Sequence, residues 1–232
     1  MAKKQYFAII DTETTIADTV ADCAIVICDR NGIIYNQMAV IIKSEFENNS
    51  LFYDKNAKGL WSKEYANMKH EKYIKMLESG SRMFASVNAI NNWINLAIGK
   101  YNPILTAYNL PFDNAKCANT DINLMGFSDR FDLWAAAVGN ICKTKSYRQF
   151  CLDNHLFNNV TEQGNMTFKT SAESVTGYLN GSMSDEPHTA LEDIIGYELP
   201  VLKHIINKKN WKEKVIPYNW REFQVKDSFI AK

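Results

Sequence analysis

Proline and glycine are scarce, five and ten in 232 residues, which excludes a collagen-like or low-complexity chain. Cysteine is scarcer still in useful form: Cys23, Cys28, Cys117, Cys142 and Cys151 are odd in number and contain no C-x-x-C pair. That argues against a disulfide framework and against a cysteine zinc site, and fits a reducing compartment. Net charge is missing too, because 26 basic residues cancel 26 acidic ones. A protein gripping a polyanion through its overall field is thereby excluded, and any such grip must come from local clusters. Long apolar runs are also lacking. The stretch after Met1-Ala2-Lys3-Lys4-Gln5 is stopped by Asp11, too short for a signal-peptide core or a membrane span. The expectation is a cytoplasmic protein with no membrane attachment.

What is present is ordinary for a globular chain: 46% hydrophobic and 22% charged residues, in a length that suits one large α/β domain. Tyr6 to Ile10 is an apolar, β-prone run that predicts a buried strand ending at Asp11. Ala24 to Cys28 and Ile33 to Ile42 flank Asn31-Gly32, a tight-turn signal, so three antiparallel strands open the chain. Residues 44–80 are polar and aromatic with patches of helical spacing, an elaboration without assignable chemistry. From Ser81 a helix is predicted, with Phe84, Val87, Ile90, Trp93 or Ile94 and Ala97 as its stripe and Gly99 near its end. Ile104 to Tyr108 predicts a strand, and Asn109-Leu110-Pro111 a helix start. Arg130 to Trp134 suits a short strand or strand end, followed by helical segments near 135–142 and 147–155. An insert near 161–180 suggests a hairpin plus a helix, a last long helix spans His188 to Ile206, and 207–232 forms a C-terminal extension to a domain of residues 1–206.

Three carboxylate-bearing segments invite chemistry. In Asp11-Thr12-Glu13-Thr14, strand alternation points Asp11 and Glu13 the same way. In Asn109-Leu110-Pro111-Phe112-Asp113, a third carboxylate falls in a first helical turn, where complementing the helix dipole is the commoner role. His188-Thr189-Ala190-Leu191-Glu192-Asp193 is the sharpest: on an ideal helix positions 188 and 193 lie about 140° apart, so the histidine reaches in from the entrance while Asp193 faces the sheet. Small Ala190 lets that helix approach closely, and Glu192 and Asp185 read as solvated.

Taken in order, D-x-E-T, N-x-x-F-D and H-x-A-x-x-D resemble the DEDDh branch of 3'-5' exonucleases, the family of the proofreading epsilon subunit of bacterial DNA polymerase III. The resemblance runs from Tyr6 to about Ile206, and the region before the histidine motif, Lys169 to Glu173, looks like bacteriophage-encoded members. It implies a ribonuclease-H-like α/β fold, a mixed central sheet flanked by helices. It implies Asp11, Glu13, Asp113 and Asp193 as ligands of two Mg²⁺ or Mn²⁺ ions, since four close carboxylates repel unless hard cations neutralise them, and His188 as general base. The implied reaction is hydrolysis of DNA, single-stranded, from its 3' end. Thr14, Thr15, Tyr108, Asn109 and Phe112 are candidate substrate-binding residues, Asp132 has a supporting place, and Lys143 to Arg148 and Lys203 to Lys214 are candidate phosphate contacts. Ile16 departs from the glycine frequent in relatives. The alternatives are a 3' exoribonuclease on the same fold and a nucleic-acid-binding or polymerase-associated subunit with a vestigial site.

Overall fold

Residues 4–159 and 166–225 are described by the computed structural model. Strand β1 (Tyr6–Thr14) lies inside a five-stranded sheet of order β4-β3-β2-β1-β5. It pairs antiparallel with β2 (Val20–Asp29), which pairs antiparallel with β3 (Ile34–Ile42). Two short strands make the sheet mixed: β5 (Ile104–Thr106) runs parallel to β1 and β4 (Met83–Ala85) parallel to β3. The expected hairpin is present, with Gly32 at φ 79° where only a residue without Cβ is unstrained.

All ten residues of β2 are buried, because helices cover both faces of the sheet. Alternation along β1 divides the core. Phe7 and Ile9 join Leu133, Val201 and Ile205 in one layer, whereas Ala8 and Ile10 join Ile90, Ile94 and Cys117 in the other. The first layer belongs to α5 (Leu133–Ala137) and α9 (Leu199–Ile206), the second to α3 (Val87–Tyr101) and α4 (Leu110–Asn119). Odd positions of β1 therefore face the C-terminal helices.

Three boundaries differ from expectation. Strand β1 does not end at Asp11 but runs on to Thr14, because β2 offers partners as far as Val20, with a bulge between Glu13 and Thr14. The helix expected from Ser81 starts at Val87, capped by the Ser86 side chain. Phe84 instead sits in β4, since the open edge of β3 outweighs helical spacing. Gly99 lies inside α3, which Asn102 closes in a left-handed conformation.

The last helix begins at Ala190, not His188: α8 (Ala190–Asp193) passes into a wide π turn (Ile194–Glu198) and then α9. His188 precedes it at φ 52°, an outlier for a non-glycine residue. Pro200 follows the wide turn, and proline has no N–H for the carbonyl one turn back and crowds it.

The elaboration at 44–80 contains α1 (Lys43–Asn48), a 3₁₀ turn (Gly59–Trp61) and α2 (Lys63–Glu78). They close a third small core around Ala21, Ile41, Phe46, Leu51, Ala66 and Tyr73. Arg130 forms only a single bridge with Leu105, and Asp132 then caps α5. Helix α6 (Lys145–Asp153) leads to the hairpin of β6 (Phe157–Asn159) and β7 (Met166–Phe168), and α7 (Ala172–Asn180) follows. The hairpin starts earlier than residue 161, and positions 160–165 of that expected insert lie outside the described residues. In the extension, Trp211, Tyr218 and Phe223 pack on the first core layer, and residues 226–232 again lie outside the described residues. All five cysteines are buried and free. Among the described residues, no helix is long and apolar enough to cross a membrane.

Candidate active site

Because Asp11 and Glu13 occupy odd positions of β1, they project towards the helical run that starts at Ala190. There, Glu13, His188 and Asp193 each present a ligand atom, all within 4.8 Å of one another. They open with Asp11 on a cavity of about 300 Å³. The even position between the two acids serves the other side of the sheet: Thr12 Oγ1 donates to Asp113 Oδ1 at 2.8 Å. Asp113 is buried in the first turn of α4 and does not itself line the cavity, and its carboxylate adds to the field on Asp11.

Each of these carboxyls is harder to ionise than usual. Burial pushes Asp193 up to about 8, reinforced by Glu186 and Glu13. Burial likewise holds Asp113 at about 7 despite the Thr12 hydrogen bond. Asp11 is pushed well above the ordinary carboxylate range by burial, then by the charges of Glu198, Asp113, Glu13 and Asp193. Burial also raises Glu13, and Lys69, whose Nζ donates to Glu13 Oε2 at 2.7 Å, offsets part of that rise. His188 moves the other way: burial and then the Lys69 charge make its imidazole harder to protonate. Its ring packs against Trp61 and Tyr65, each at 6.3 Å between centroids.

Two polar networks hold this geometry. Asp132 Oδ1 accepts from the amides of Asn109, Leu110 and Trp134, fixing the left-handed entry of α4 that delivers Asp113. On the other side, fully buried Asp22 in β2 accepts from Ala190 N at 3.0 Å and from the Tyr73 hydroxyl at 2.9 Å. Arg82, 3% exposed, lies 3.5 Å from Asp22 Oδ1 and donates to Glu192 Oε2, which also takes the Thr189 hydroxyl. Glu192, expected to be solvated, thus ties the histidine motif to the sheet.

Of the expected substrate contacts, Thr14 and Phe112 line the cavity. The others are engaged elsewhere: Thr15 is buried and shares its hydroxyl with Thr19, Tyr108 donates to the Thr170 carbonyl, and Asn109 turns the chain into α4. Ile16 is exposed. The two basic segments do not line it. Lys143 pairs with Glu222 and Lys208 donates to the Asn140 carbonyl, while the basic side chains at the cavity are Lys69 and Lys116.

The sequence reading missed Lys69, Glu186, Asp22 and Glu198. Lys69 comes from the elaboration, whose Phe52, Leu60, Trp61 and Tyr65 also roof the cavity. Glu198 had one signal, Pro200 close behind, which marks a disturbed helix and moves Glu198 off the face that an unbroken α-helix would give it.

No family model matches the chain, and no curated protein matches it. Among solved structures, exonuclease I in complex with the inhibitor BCBP is 12% identical, with a TM-score of 0.46 over 87% of this chain and 40% of that one. Exonuclease I from E. coli in complex with a 5cy-dT13 oligonucleotide is 14% identical, with a TM-score of 0.47 over 91% of this chain and 42% of that one. This chain spans about two-fifths of the length of either.

Proposed function

We propose that this chain is a divalent-metal-dependent 3'-5' exonuclease acting on single-stranded DNA. The observation that carries the reading is the meeting of Asp11, Glu13, Asp193 and His188 on one cavity, with Asp113 bonded to Thr12 between the two strand acids. The residues fit a hard cation. Asp193 Oδ1 is buried without a hydrogen-bond partner among the described residues, and the donors are carboxylate oxygens with one imidazole. Asp11, Glu13, Asp113 and Asp193 would hold Mg²⁺ or Mn²⁺. Bound there, the ions supply Lewis acidity towards water and the phosphate oxygens, two being the number used in many phosphodiester hydrolases.

The chain's own groups do the rest. An imidazole nitrogen of His188, kept neutral by burial and by Lys69, accepts the proton of the attacking water. Its left-handed backbone is the kind of strain that collects at working sites. Exposed Phe52, Trp61 and Phe112 offer ring faces to unpaired bases, a grip indifferent to sequence. A cavity of about 300 Å³ is of a size to take a terminal nucleotide.

The test incubates 5'-labelled single- and double-stranded DNA and RNA with the protein and Mn²⁺ or Mg²⁺. A ladder of shortening labelled DNA strands, abolished by chelation, is expected. Immediate release of labelled mononucleotide overturns the polarity, preference for RNA makes the enzyme an exoribonuclease, and no cleavage with either metal leaves a vestigial binding subunit.

A further inference from the structure

Of the two lysines that line the cavity, Lys116 is engaged by exposed Asp18, to which its Nζ donates, and by the Phe112 ring 4.7 Å away. Lys69 stands among acids instead. Its Nζ donates to Glu13 Oε2 at 2.7 Å, and its side chain, 10% exposed, shares the cavity with Asp11, Glu186, His188 and Asp193. An ammonium carries three N–H donors. Glu13 takes one, and among the described residues Lys69 Nζ has no second hydrogen-bond partner.

Helix α2 holds that ammonium in place. Tyr65, Lys69 and Lys72 are spaced four and three residues apart, so they share one face of the helix. The Tyr65 ring stands at 88° to the His188 ring, and Lys72 Nζ donates to the Pro187 carbonyl at 3.1 Å. The lysine between them is fixed against the loop of the histidine motif from both sides, so it has little freedom left to lose when it binds something.

Pairing with Glu13 alone does not explain this placement. A hard cation needs Glu13 ionised, and an ammonium at 2.7 Å from that carboxylate repels the ion the carboxylate is to hold. A positive group kept there despite the repulsion has a use when an anion enters, because phosphate oxygens can take the unused donors in charge-assisted hydrogen bonds.

We infer that Lys69 is a phosphate-binding residue, donating from Nζ to a non-bridging oxygen of the terminal nucleotide's phosphate while Glu13 orients it. The inference rests on the reading of the cavity as a metal-dependent nuclease site, and the experiment separates the two. Calorimetry on the full chain in saturating Mn²⁺ compares thymidine 5'-monophosphate with thymidine, for wild type, Lys69→Met and Lys69→Arg, with Mn²⁺ binding and thermal unfolding measured on each. Methionine keeps most of the stem and removes the charge. Lys69→Met is expected to bind the monophosphate about 10- to 150-fold more weakly, the worth of a hydrogen bond to a charged group, with thymidine affinity unchanged and Mn²⁺ affinity equal or higher. Lys69→Arg, which keeps the charge, should recover most of the loss.

Wild-type monophosphate affinity in Lys69→Met overturns the inference, as does equal wild-type affinity for the monophosphate and thymidine. A parallel loss of monophosphate, thymidine and Mn²⁺ binding also overturns it and makes Lys69 a structural partner of Glu13. Each of these results leaves the nuclease reading standing where the wild type binds Mn²⁺ and shortens DNA, whereas a wild type that binds no Mn²⁺ overturns both. If Lys69→Met does not fold, wild-type crystals with Mn²⁺ and thymidine 5'-monophosphate decide: Lys69 Nζ within about 3.3 Å of a phosphate oxygen supports the inference, and any longer separation refutes it.

Discussion

Replacing Asp193 with asparagine keeps the side chain's shape and takes away a carboxyl that burial holds protonated in the fold but that ionises on unfolding, so in the metal-free protein the substitution should stabilise the fold. Burial and the charges of Glu186 and Glu13 raise the folded-state pKa to about 8 from the ordinary 3.8. The sign follows from proton uptake: between those values the folded state binds more protons than the unfolded one, so stability falls as pH rises. Each pH unit in that window removes about 1.4 kcal/mol, amounting to about 4 kcal/mol at neutral pH relative to a neutral side chain. A gain of roughly 2 to 5 kcal/mol is therefore expected for Asp193→Asn in chelator at neutral pH, or roughly 4 to 20 °C in Tm for a chain of this size. Urea unfolding in chelator from about pH 5 to about pH 8 reads it directly, with the wild type losing stability across the range and the variant holding level by comparison. Saturating Mn²⁺ should reverse the order, because the ion stabilises only the protein that can hold it. A variant less stable than wild type in chelator at about pH 8, or one with an unchanged pH slope, would refute the reasoning and make Asp193 a structural acceptor.

His188→Ala should lower turnover by about 10²- to 10⁴-fold with Mn²⁺ affinity nearly unchanged, and a parallel loss of affinity would make His188 a ligand instead of a base. Burial and Lys69 lower the His188 pKa from 6.5, and only neutral imidazole accepts a proton. Wild-type activity should therefore rise with pH through a midpoint below that value, a limb that flattens in the variant. Trp61→Ala and Phe52→Ala should each weaken single-strand binding by about 5- to 150-fold, the worth of a stacked base, without touching Mn²⁺ affinity. Unchanged binding in both would remove the roof from the substrate path.

The parts of the site readable from residues alone were those governed by local periodicity. Asp11 and Glu13 share a face because strands alternate, and Asp113 enters on the first turn of α4 because Asn109-Leu110-Pro111 starts a helix. Asp193 faces the sheet as expected, although the ideal-helix angle from His188 did not apply, since His188 lies outside the helix. What stayed hidden was set by packing between distant segments. Lys69 reaches Glu13 across 56 positions, and Arg82 reaches Glu192 across 110. Glu198 was invisible for a different reason: its face depends on one wide turn, and the pattern was read with an unbroken α-helical period.

The buried contact between Asp22 and the loop of the histidine motif has a consequence for anyone trimming this protein to a minimal domain. Residues 44–80 look expendable as an outgrowth, yet they supply Tyr73 and lead directly into Arg82, two of the groups that face the Asp22 carboxylate. Excising them would strand an ionised group in the interior, where loss of one partner of a buried pair costs about 3 to 5 kcal/mol. Of the hydrogen bonds to that carboxylate, the one from the Ala190 amide would remain. A shortened version would therefore need an uncharged residue at position 22 from the outset, and would still lack the lysine that steadies Glu13. In design terms, the outgrowth and the sheet form one unit, and neither can be edited without the other.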